Sequence, residues 1–249
     1  MIDNIKNNLP KIKLSSDTLK IIAVVTMMID HSAFCLLHYY MTMFYMDIVP
    51  QTYTKLNNVY EFCRGVGRIS FPIFCFFLVE GFFRTKNVWK HLLRLGIFAI
   101  ISEVPFDLAH FKVILEWTHQ NVIAELFLGF LMLILLRYIE DIPGLSDVTR
   151  IICICCAVFA FADLATICKV DYSFKGIMLI AVLYILRSVK EFRLLAGAAV
   201  TSIAKYAPIA FVLLYFYNPD TKPRLKYFFY AFYPVHLFMI YLLGALLFR

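Results

Sequence analysis

The stretch that decides the fold is LKIIAVVTMMIDHSAFCLL, residues 19–37. It is apolar over about 20 residues, which is the length a helix needs to cross the hydrocarbon core of a bilayer. It nevertheless carries Asp30 and His31 side by side near its middle. An ionisable group at the centre of a membrane helix costs at least about 2.5 to 3.5 kcal/mol and usually faces the bundle interior or a wet cavity. The pair therefore marks a candidate functional position inside a membrane helix.

The composition extends this interpretation to the whole chain. Its 249 residues are 62% apolar and 17% aromatic, and only 16% are charged, against about 25% in a typical soluble domain. The mean hydropathy is +0.77. A soluble domain could not bury that much apolar surface, so we predict an all-α, polytopic integral membrane bundle. No repeat, low-complexity tract or linker interrupts residues 1–249, which predicts one domain.

The apolar runs predict about eight transmembrane helices. The second of them follows an amphipathic lead-in at 53–64. The predicted spans are 17–45, 66–83, 89–102, 121–138, 149–168, 173–187, 194–217 and 226–248.

The loop charges predict the orientation, because basic residues concentrate in cytoplasmic loops. With eight spans, three basic segments share one side, which places both termini in the cytoplasm. The loop before the last helix, with Lys222, Arg224 and Lys226, then falls on the outside, against the rule. The three basic segments contain Lys6, Lys11, Lys13 and Lys20, then Arg84, Lys86, Lys90 and Arg94, then Arg187, Lys190 and Arg193.

The net charge of +7 does not indicate a nucleic-acid site, since the basic residues lie beside apolar runs and act as topology signals. The seven cysteines lie mostly inside apolar runs and lack paired metal-ligand spacing, so we expect helix packing at CICC, residues 153–156, and no metal. The first apolar run has no small-residue cleavage site after it, so we expect it to remain as an anchor.

Lys20 and His31 share one stripe of the first helix. They are 11 residues apart, which places them within about 20° of each other and about 16 Å apart along the axis. If Lys20 marks the cytoplasmic interface, His31 reaches the middle of the membrane. Asp30 lies about 100° away and needs its own partner, so it orients another helix rather than this histidine. The alternative is that His31 bonds a neighbouring helix for packing alone.

A second polar cluster lies in GVGRISFPIFCFFLVEGFFRT, residues 65–85. Glu80 and Arg84 are four residues apart and suit a local ion pair, which is as readily structural as functional. Arg68 lies just inside the apolar run and could place its guanidinium over a phosphate or carboxylate.

A third cluster combines SEVPFDLAH, residues 102–110, with QNVIAEL, residues 120–126. Pro105 removes a helical hydrogen bond between Glu103 and Asp107, so we expect a kink or helix end there. Two carboxylates at such a break can bind a cation, an amine or the end of a neighbouring helix. Asn121 and Glu125 present another polar stripe on the fourth predicted helix.

The last polar cluster is YFFYAFYPVHLFMIYLL, residues 227–243. His236 lies about 10 residues into the last helix and is predicted to reach the depth of His31. Two histidines from opposite ends of the chain would then face one cavity, beside Tyr233. The alternative is an interfacial tyrosine belt with an incidental histidine.

Five motifs in this order resemble the TraX family. They are LKIIAVVTMMIDHS, VGRISFPIFCFFLVEGFFRT, SEVPFDLA, QNV and FYAFYPVHL, and they span nearly the whole chain. The family is named for the conjugation protein associated with N-terminal acetylation of F pilin. The spacing in KIIAVVTMMIDH, residues 20–31, also resembles the first-helix signature of wider transmembrane acyltransferases, in which the basic residue is usually arginine.

This resemblance implies an acetyltransferase in the bacterial cytoplasmic membrane, with acetyl-CoA as co-substrate. The acetyl group would pass from cytoplasmic acetyl-CoA to an amine or hydroxyl on a peptide N-terminus, such as pilin, or on an envelope glycan. The attacking group must lose a proton, and histidine is the common base for such a step. His31 is the candidate general base or acyl carrier, and His236 the second acid/base or a group that positions the acceptor.

The remaining site residues follow from the same resemblance. The candidate catalytic set is His31, Asp30, His236, Glu103 and Asp107; the CoA-binding set is Lys20, Arg68, Arg84 and Lys86; the acceptor-binding set is Glu80, Asn121, Glu125 and Tyr233. The expected partners are membrane lipids, acetyl-CoA and the acceptor, with no nucleic acid and no metal.

Two other function classes fit the same residues. A small proton- or ion-coupled transporter would also place His, Asp and Glu at mid-membrane, near helices broken by proline. A noncatalytic scaffold of a secretion apparatus is the third class. The enzyme predicts CoA thiol release that requires His31; the carrier predicts flux without thiol release; the scaffold predicts neither.

Overall fold

The computed structural model describes residues 13–221 and 224–248, apart from the side chains of Lys226 and Tyr227. The predicted all-α membrane class is confirmed: within the described residues, five helical stretches are long and apolar enough to cross a membrane. The elements are α1 (Ser16–Ser32), a π-helical segment (Ala33–His38), α2 (Tyr39–Met43), α3 (Pro50–Gly67), α4 (Ser70–Arg84), α5 (Val88–His110), α6 (Val122–Glu140), α7 (Asp147–Ile167), α8 (Ser173–Ile185), α9 (Lys190–Thr201), α10 (Ile209–Tyr215) and α11 (Lys226–Leu247).

Polar caps define where several helices begin. The side chain of Ser15 accepts the Thr18 amide at 3.0 Å ahead of α1. Asn87 caps α5 by accepting the Lys90 amide at 2.9 Å, and Ser146 caps α7 by accepting the amide of Thr149 at 3.2 Å. Each cap satisfies a backbone N–H that the first helical turn leaves without a partner.

The first two spans are long and closely packed. Residues Ser16–Met43 form one 28-residue helical stretch, and Pro50–Arg84 forms a second of 35 residues. The predicted lead-in at 53–64 lies within α3, a helix separate from α4, which begins at Ser70 after a turn at Arg68 and Ile69. Gly67 explains the close approach, because a Cβ at this position would collide with the side chain of Asp30 in α1.

Helix α5 continues through Pro105 to His110, so of the two expectations for this proline, a kink or a helix end, the helix end is wrong. A proline removes only one backbone hydrogen bond from the ladder. The side chains after it, Phe106, Asp107 and Ala109, are buried in the bundle. The packing of these side chains stabilises the helix beyond the proline.

The predicted seventh span, 194–217, is instead a hairpin of α9 and α10 that re-enters the bundle. The Lys190 ammonium at the start of α9 donates to the Tyr215 carbonyl at the end of α10, with a distance of 2.9 Å. The two helices pack at Gly197, where a Cβ would collide with the ring of Phe211. The turn between them contains Tyr206, whose φ is +62°. The chain thus returns to the side from which α9 began.

This hairpin changes the predicted orientation of the last helix. The Leu14 amide donates to the Phe216 carbonyl at 2.9 Å, and the Arg224 amide donates to the Asp17 carboxylate at 2.7 Å. Arg224 therefore lies on the side where α1 begins, which removes the conflict with the loop-charge rule. Lys222, Lys6 and Lys11 lie outside the described residues.

The described ends of the chain lie at opposite ends of the bundle. Phe248 packs on Tyr39, with ring centroids 5.3 Å apart, beyond the far end of α1. The expectation that both termini share one side is therefore wrong for Leu14 and Phe248. The sequence pattern missed this because a re-entrant hairpin and a spanning helix are similarly apolar.

Candidate functional site

A cavity of about 390 Å³ enters the bundle from the side where α1 begins. Its lining residues on α1 start at Lys20 and end at His31, which are about 16 Å apart along the helix. On α4 the lining side chains change from Arg84 to apolar Phe77 and Phe74 with depth. The cavity therefore has a charged mouth and an apolar middle. The mouth is lined by Lys20, Glu80, Arg84, His91, Arg94 and Tyr230.

The deep end of the cavity brings His31 and His236 together. His31 Nδ1 and His236 Nε2 are 2.7 Å apart, and the two rings are nearly parallel with centroids 5.0 Å apart. Their exposed fractions are only 8% and 5%. Helices from the two ends of the sequence thus build one buried imidazole pair, of which His31 lines the cavity.

The hydrogen bonds determine which nitrogens of this pair carry protons. His236 Nδ1 lies 2.9 Å from the Phe232 carbonyl oxygen, and a carbonyl oxygen only accepts, so this nitrogen donates. In the neutral ring His236 Nε2 then accepts, and His31 Nδ1 is its donor. Neutral His31 is left with an unprotonated Nε2, and no described residue forms a hydrogen bond to it. The arrangement presents His31 as a proton acceptor at the cavity.

A third imidazole, missed by the sequence reasoning, lies beside this pair. The His110 ring lies edge-on to His31 at a centroid distance of 5.5 Å. Its Nδ1 bonds the Phe106 carbonyl at 3.0 Å. The sequence could have indicated His110, because it ends the motif SEVPFDLAH about one helical turn after Asp107, at the end of α5. The described residues contain no group of three or more His, Cys, Asp or Glu placed to hold a metal ion.

Asp30 has a partner other than its neighbour His31. Its carboxylate forms a buried ion pair with Arg64 of α3 at 2.8 Å. This agrees with the expectation that Asp30 orients another helix, while Arg64 itself was not predicted. The pair holds α3 against α1 directly beside His31.

Two of the predicted CoA-binding residues do not line the mouth. Arg68 donates to the Tyr172 hydroxyl at 3.3 Å, at the deep end of the bundle, and it lies about 24 Å along the helical path from Arg84. Lys86 is exposed between α4 and α5 and does not line the cavity. Arg68 was assigned to the CoA phosphates through the family resemblance, although it lies at the opposite end of the predicted span 66–83 from Arg84. Arg94 and His91, which were not predicted, line the mouth instead.

Glu80 lies at the mouth but is already paired. It accepts from Arg84 at 3.2 Å and from the buried Arg193 of α9 at 2.7 Å. The carboxylate therefore joins the cavity mouth to the re-entrant hairpin. Lys20 lies nearby, 4.9 Å above the Phe77 ring.

Four predicted polar residues hold helix ends and do not line the cavity. Asn121 caps α6 by accepting the Ile123 amide at 2.9 Å, and its side-chain amide donates to Glu103. Asp107 accepts the amide of Glu116 at 2.8 Å. Glu125 accepts the amide of Ser173 at 2.9 Å, at the start of α8. The carboxylates beside Pro105 were expected to bind a cation, an amine or the end of a neighbouring helix. Their hydrogen bonds favour the last of these roles, because they join residues at the ends of neighbouring segments.

The remaining deep residues are Tyr233, Tyr172 and Asp171, which all line the cavity. The Tyr233 ring is 6.1 Å from that of His31. Asp171 belongs to the loop between α7 and α8. Asp171 is exposed, and the side chains of Arg68 and Arg64 lie close enough to attract its carboxylate. The deep end thus adds a carboxyl and two aromatic side chains to the histidine pair.

Comparisons with known proteins agree with this architecture. A family model described as "TraX protein" matches residues 15–244. The "Probable fimbrial assembly protein FimC, serogroup H1" of Dichelobacter nodosus is 39% identical over 95 residues, which cover 38% of this chain and 32% of that protein. The match thus spans about a third of the length of that relative. No solved structure matches.

Proposed function

The chain belongs to the TraX family, and from that premise we propose that it is a membrane-embedded acetyltransferase of a bacterial cytoplasmic membrane. It moves an acetyl group from cytoplasmic acetyl-CoA to an amine or hydroxyl acceptor. The family association with pilin acetylation and the relative named as a fimbrial assembly protein both favour a pilus-related peptide as acceptor. An envelope glycan is the alternative acceptor.

The observation that carries this proposal is the hydrogen-bonded chain from the Phe232 carbonyl through His236 to His31. It leaves His31 Nε2 as a base at the cavity. The acceptor nitrogen or oxygen attacks the thioester carbonyl carbon, and His31 Nε2 takes the proton that this atom loses. As the C–S bond breaks, the proton passes to the CoA sulfur, so the products are the acetylated acceptor and free CoA thiol. His236 stabilises the protonated His31 through the Nδ1 hydrogen bond.

The charged mouth of the cavity suits acetyl-CoA, the acetyl donor. Lys20, Arg84 and Arg94 line it together, and ammonium and guanidinium groups bind phosphate oxygens through charge-assisted hydrogen bonds. The apolar middle, about 16 Å from Lys20 to His31, accommodates the thioester arm of CoA. The phosphates stay at the basic side, and the acetyl group reaches the histidines.

The deep end suits the acceptor. Asp171 and Tyr172 lie in the loop on the other side of the bundle from the mouth and line the same cavity. The acceptor enters from this side and meets the acetyl group at His31. Donor and acceptor then approach the base from opposite ends of one cavity.

A transporter is the second candidate, and one observation favours it. The re-entrant hairpin of α9 and α10 interrupts an apolar segment, and interrupted helices of this kind are a feature of secondary transporters. The two functions differ in their product. The enzyme releases CoA thiol, whereas the carrier moves an ion or solute and releases none.

The test is CoA thiol release by the purified protein in lipid nanodiscs supplied with acetyl-CoA. We expect release by the native chain and a loss of at least about 100-fold in His31→Ala, the scale of a removed general base. His38→Ala is the matched control, because His38 belongs to the same helical stretch, stacks on Tyr60 and does not line the cavity. Absence of acetyl-CoA binding, or equal rates in the native chain and His31→Ala, would contradict the enzyme and favour the carrier.

A further inference from the structure

Helix α7 has the largest outward-facing surface among the spans. Only 22% of the residues in its most apolar stretch are buried, against 33% to 61% in the other four candidate spans. Its buried residues are small or medium-sized: Ala157, Val158, Ala162 and Ala165. The remainder of the helix faces away from the bundle.

The exposed face of α7 carries a carboxylate near the end of the helix. Asp163 is exposed, as are Ile152, Cys156 and Phe159, which precede it at helical spacing on the same stripe. Asp163 lies about 20 Å along the helix from Arg150, whose guanidinium bonds carbonyls of the loop at the start of α7. The described residues offer Asp163 no hydrogen bond or ion pair. Asp163 lies about one turn before the end of α7 at Ile167, so its charge is available to a cation of another chain.

An exposed cation on the next helix lies at the same depth. Lys175 of α8 forms no ion pair with a described residue, and its ammonium lies 5.9 Å from the neighbouring Phe174 ring. The hydroxyls of Thr166 and Ser173 are 2.9 Å apart and align the end of α7 with the start of α8. From those points Asp163 lies about 4.5 Å and Lys175 about 3 Å into the membrane. Their depths therefore agree within about 2 Å.

We propose that this face is the interface of a two-fold dimer of the chain, in which Asp163 of each copy pairs with Lys175 of the other. Rotation about an axis along the membrane normal preserves depth, so the two opposite charges meet in both halves of such an interface. Cys156 and Ala160 add small exposed side chains on α7, which allow helices to approach closely. The proposal rests on the fold and the charges alone and does not depend on acetyl transfer.

Charge complementarity also fixes where the axis passes. An α7-to-α7 contact centred on Asp163 would bring two carboxylates together, and like charges in contact across an interface are unfavourable. An axis between α7 and α8 instead places each Asp163 against the other copy's Lys175. The two groups do not pair within one copy, since no ion pair joins them.

The experiment measures association by single-molecule photobleaching of the full chain, with one fluorophore per chain, in phosphatidylethanolamine and phosphatidylglycerol vesicles at low protein density. We expect two bleaching steps for the native chain. Asp163→Lys and Lys175→Asp each create two like-charge contacts, so either variant alone is expected to lower the two-step fraction by at least about fivefold. Lys55→Asp, at an exposed lysine on α3, is the control and leaves the fraction unchanged.

Mixing the two variants separates pairing between copies from pairing within a copy. In a mixed dimer of Asp163→Lys with Lys175→Asp, both contacts again join opposite charges. Two-colour colocalisation should therefore recover to at least about half of the native value. Because misfolded chains could not form this specific dimer, the recovery also shows that both variants are folded. A native chain that bleaches in one step overturns the proposal, and so does a native dimer unaffected by the single variants or a mixture that fails to recover.

Discussion

At the scale of single residues, the chemistry of the site depends on where two protons lie. His31 alone could carry its proton on either ring nitrogen. The carbonyl of Phe232 accepts from His236 at 2.9 Å, and His236 in turn accepts from His31 at 2.7 Å. This chain of bonds keeps His31 Nε2 free of a proton in the neutral state. In the proposed mechanism, His236 therefore acts through His31, as a positioning residue.

Replacing His236 tests that role. We expect His236→Ala to lower kcat for CoA thiol release by at least about tenfold, because His31 loses the acceptor that fixes its tautomer, while KM for acetyl-CoA stays within about twofold. His236→Gln offers a side-chain oxygen to His31 Nδ1 and should retain more activity than the alanine variant. The measurement is steady-state kinetics of both variants, and equal kcat values for alanine and glutamine would contradict the positioning role.

The mouth of the cavity gives a second residue-scale prediction. Arg94 lines it, whereas Lys86 carries the same charge nearby and does not. We expect Arg94→Ala to raise KM for acetyl-CoA by about fivefold to 50-fold, since a charge-assisted phosphate contact contributes about 1 to 2 kcal/mol. Lys86→Ala should change KM less than twofold. The measurement is the rate of CoA thiol release against acetyl-CoA concentration for both variants. Equal changes in KM would mean that Arg94 makes no specific phosphate contact and acts only through its charge.

At the scale of elements, intramembrane carboxylates hold helix ends where water is scarce. Glu125 of α6 accepts the amides of Tyr172 and Ser173 at 3.2 and 2.9 Å. These amides open α8 and have no earlier turn to bond. At the start of α6, the Asn121 side chain accepts the amide of Ile123, and Glu103 accepts from the Asn121 side-chain amide. Polar residues that a sequence pattern assigns to a reaction can thus serve the backbone.

The cap on α8 is testable by itself. Glu125→Ala removes both acceptors, so we expect faster amide hydrogen exchange at Tyr172 and Ser173 and a stability loss of about 1 to 2 kcal/mol. Glu191→Ala, at an exposed glutamate in the first turn of α9, should leave that exchange unchanged. Hydrogen exchange read by mass spectrometry in nanodiscs checks both, and unchanged exchange in Glu125→Ala would show that the amides are held by another group.

At the scale of the whole molecule, the hairpin of α9 and α10 sets the direction of the last helix. Because the hairpin returns to its starting side, α11 begins beside Asp17 and runs toward Tyr39. His236 meets His31 from this direction. A spanning seventh helix would have reversed α11 and placed Arg224 on the other side.

Reporter fusions test this orientation. Alkaline phosphatase fused after Asp220 should be inactive and green fluorescent protein at the same point fluorescent. The reason is that Asn218 and Arg224 lie beside Leu14 and Asp17, on the side that the loop charges predict to be cytoplasmic. Phosphatase fused after Arg249 should be active, since Phe248 lies at the opposite end of the bundle. The reverse pattern at Asp220 would restore the eight-span topology. Comparable expression of all fusions, measured by immunoblot, is the control.

The sequence by itself determined the membrane class, the helical character and the common level of His31 and His236, since apolar run length and helical rise are local properties of the chain. It also separated the partners of Asp30 and His31, which adjacent positions on one helix cannot share. Only the tertiary structure decided that Arg64 pairs with Asp30, that Arg68 lies far from the mouth and that residues 190–215 form a hairpin. The reason is that an apolar stretch is equally suited to crossing or re-entering the membrane, and contacts such as Lys190 with Tyr215 and Gly197 with Phe211 select between the two.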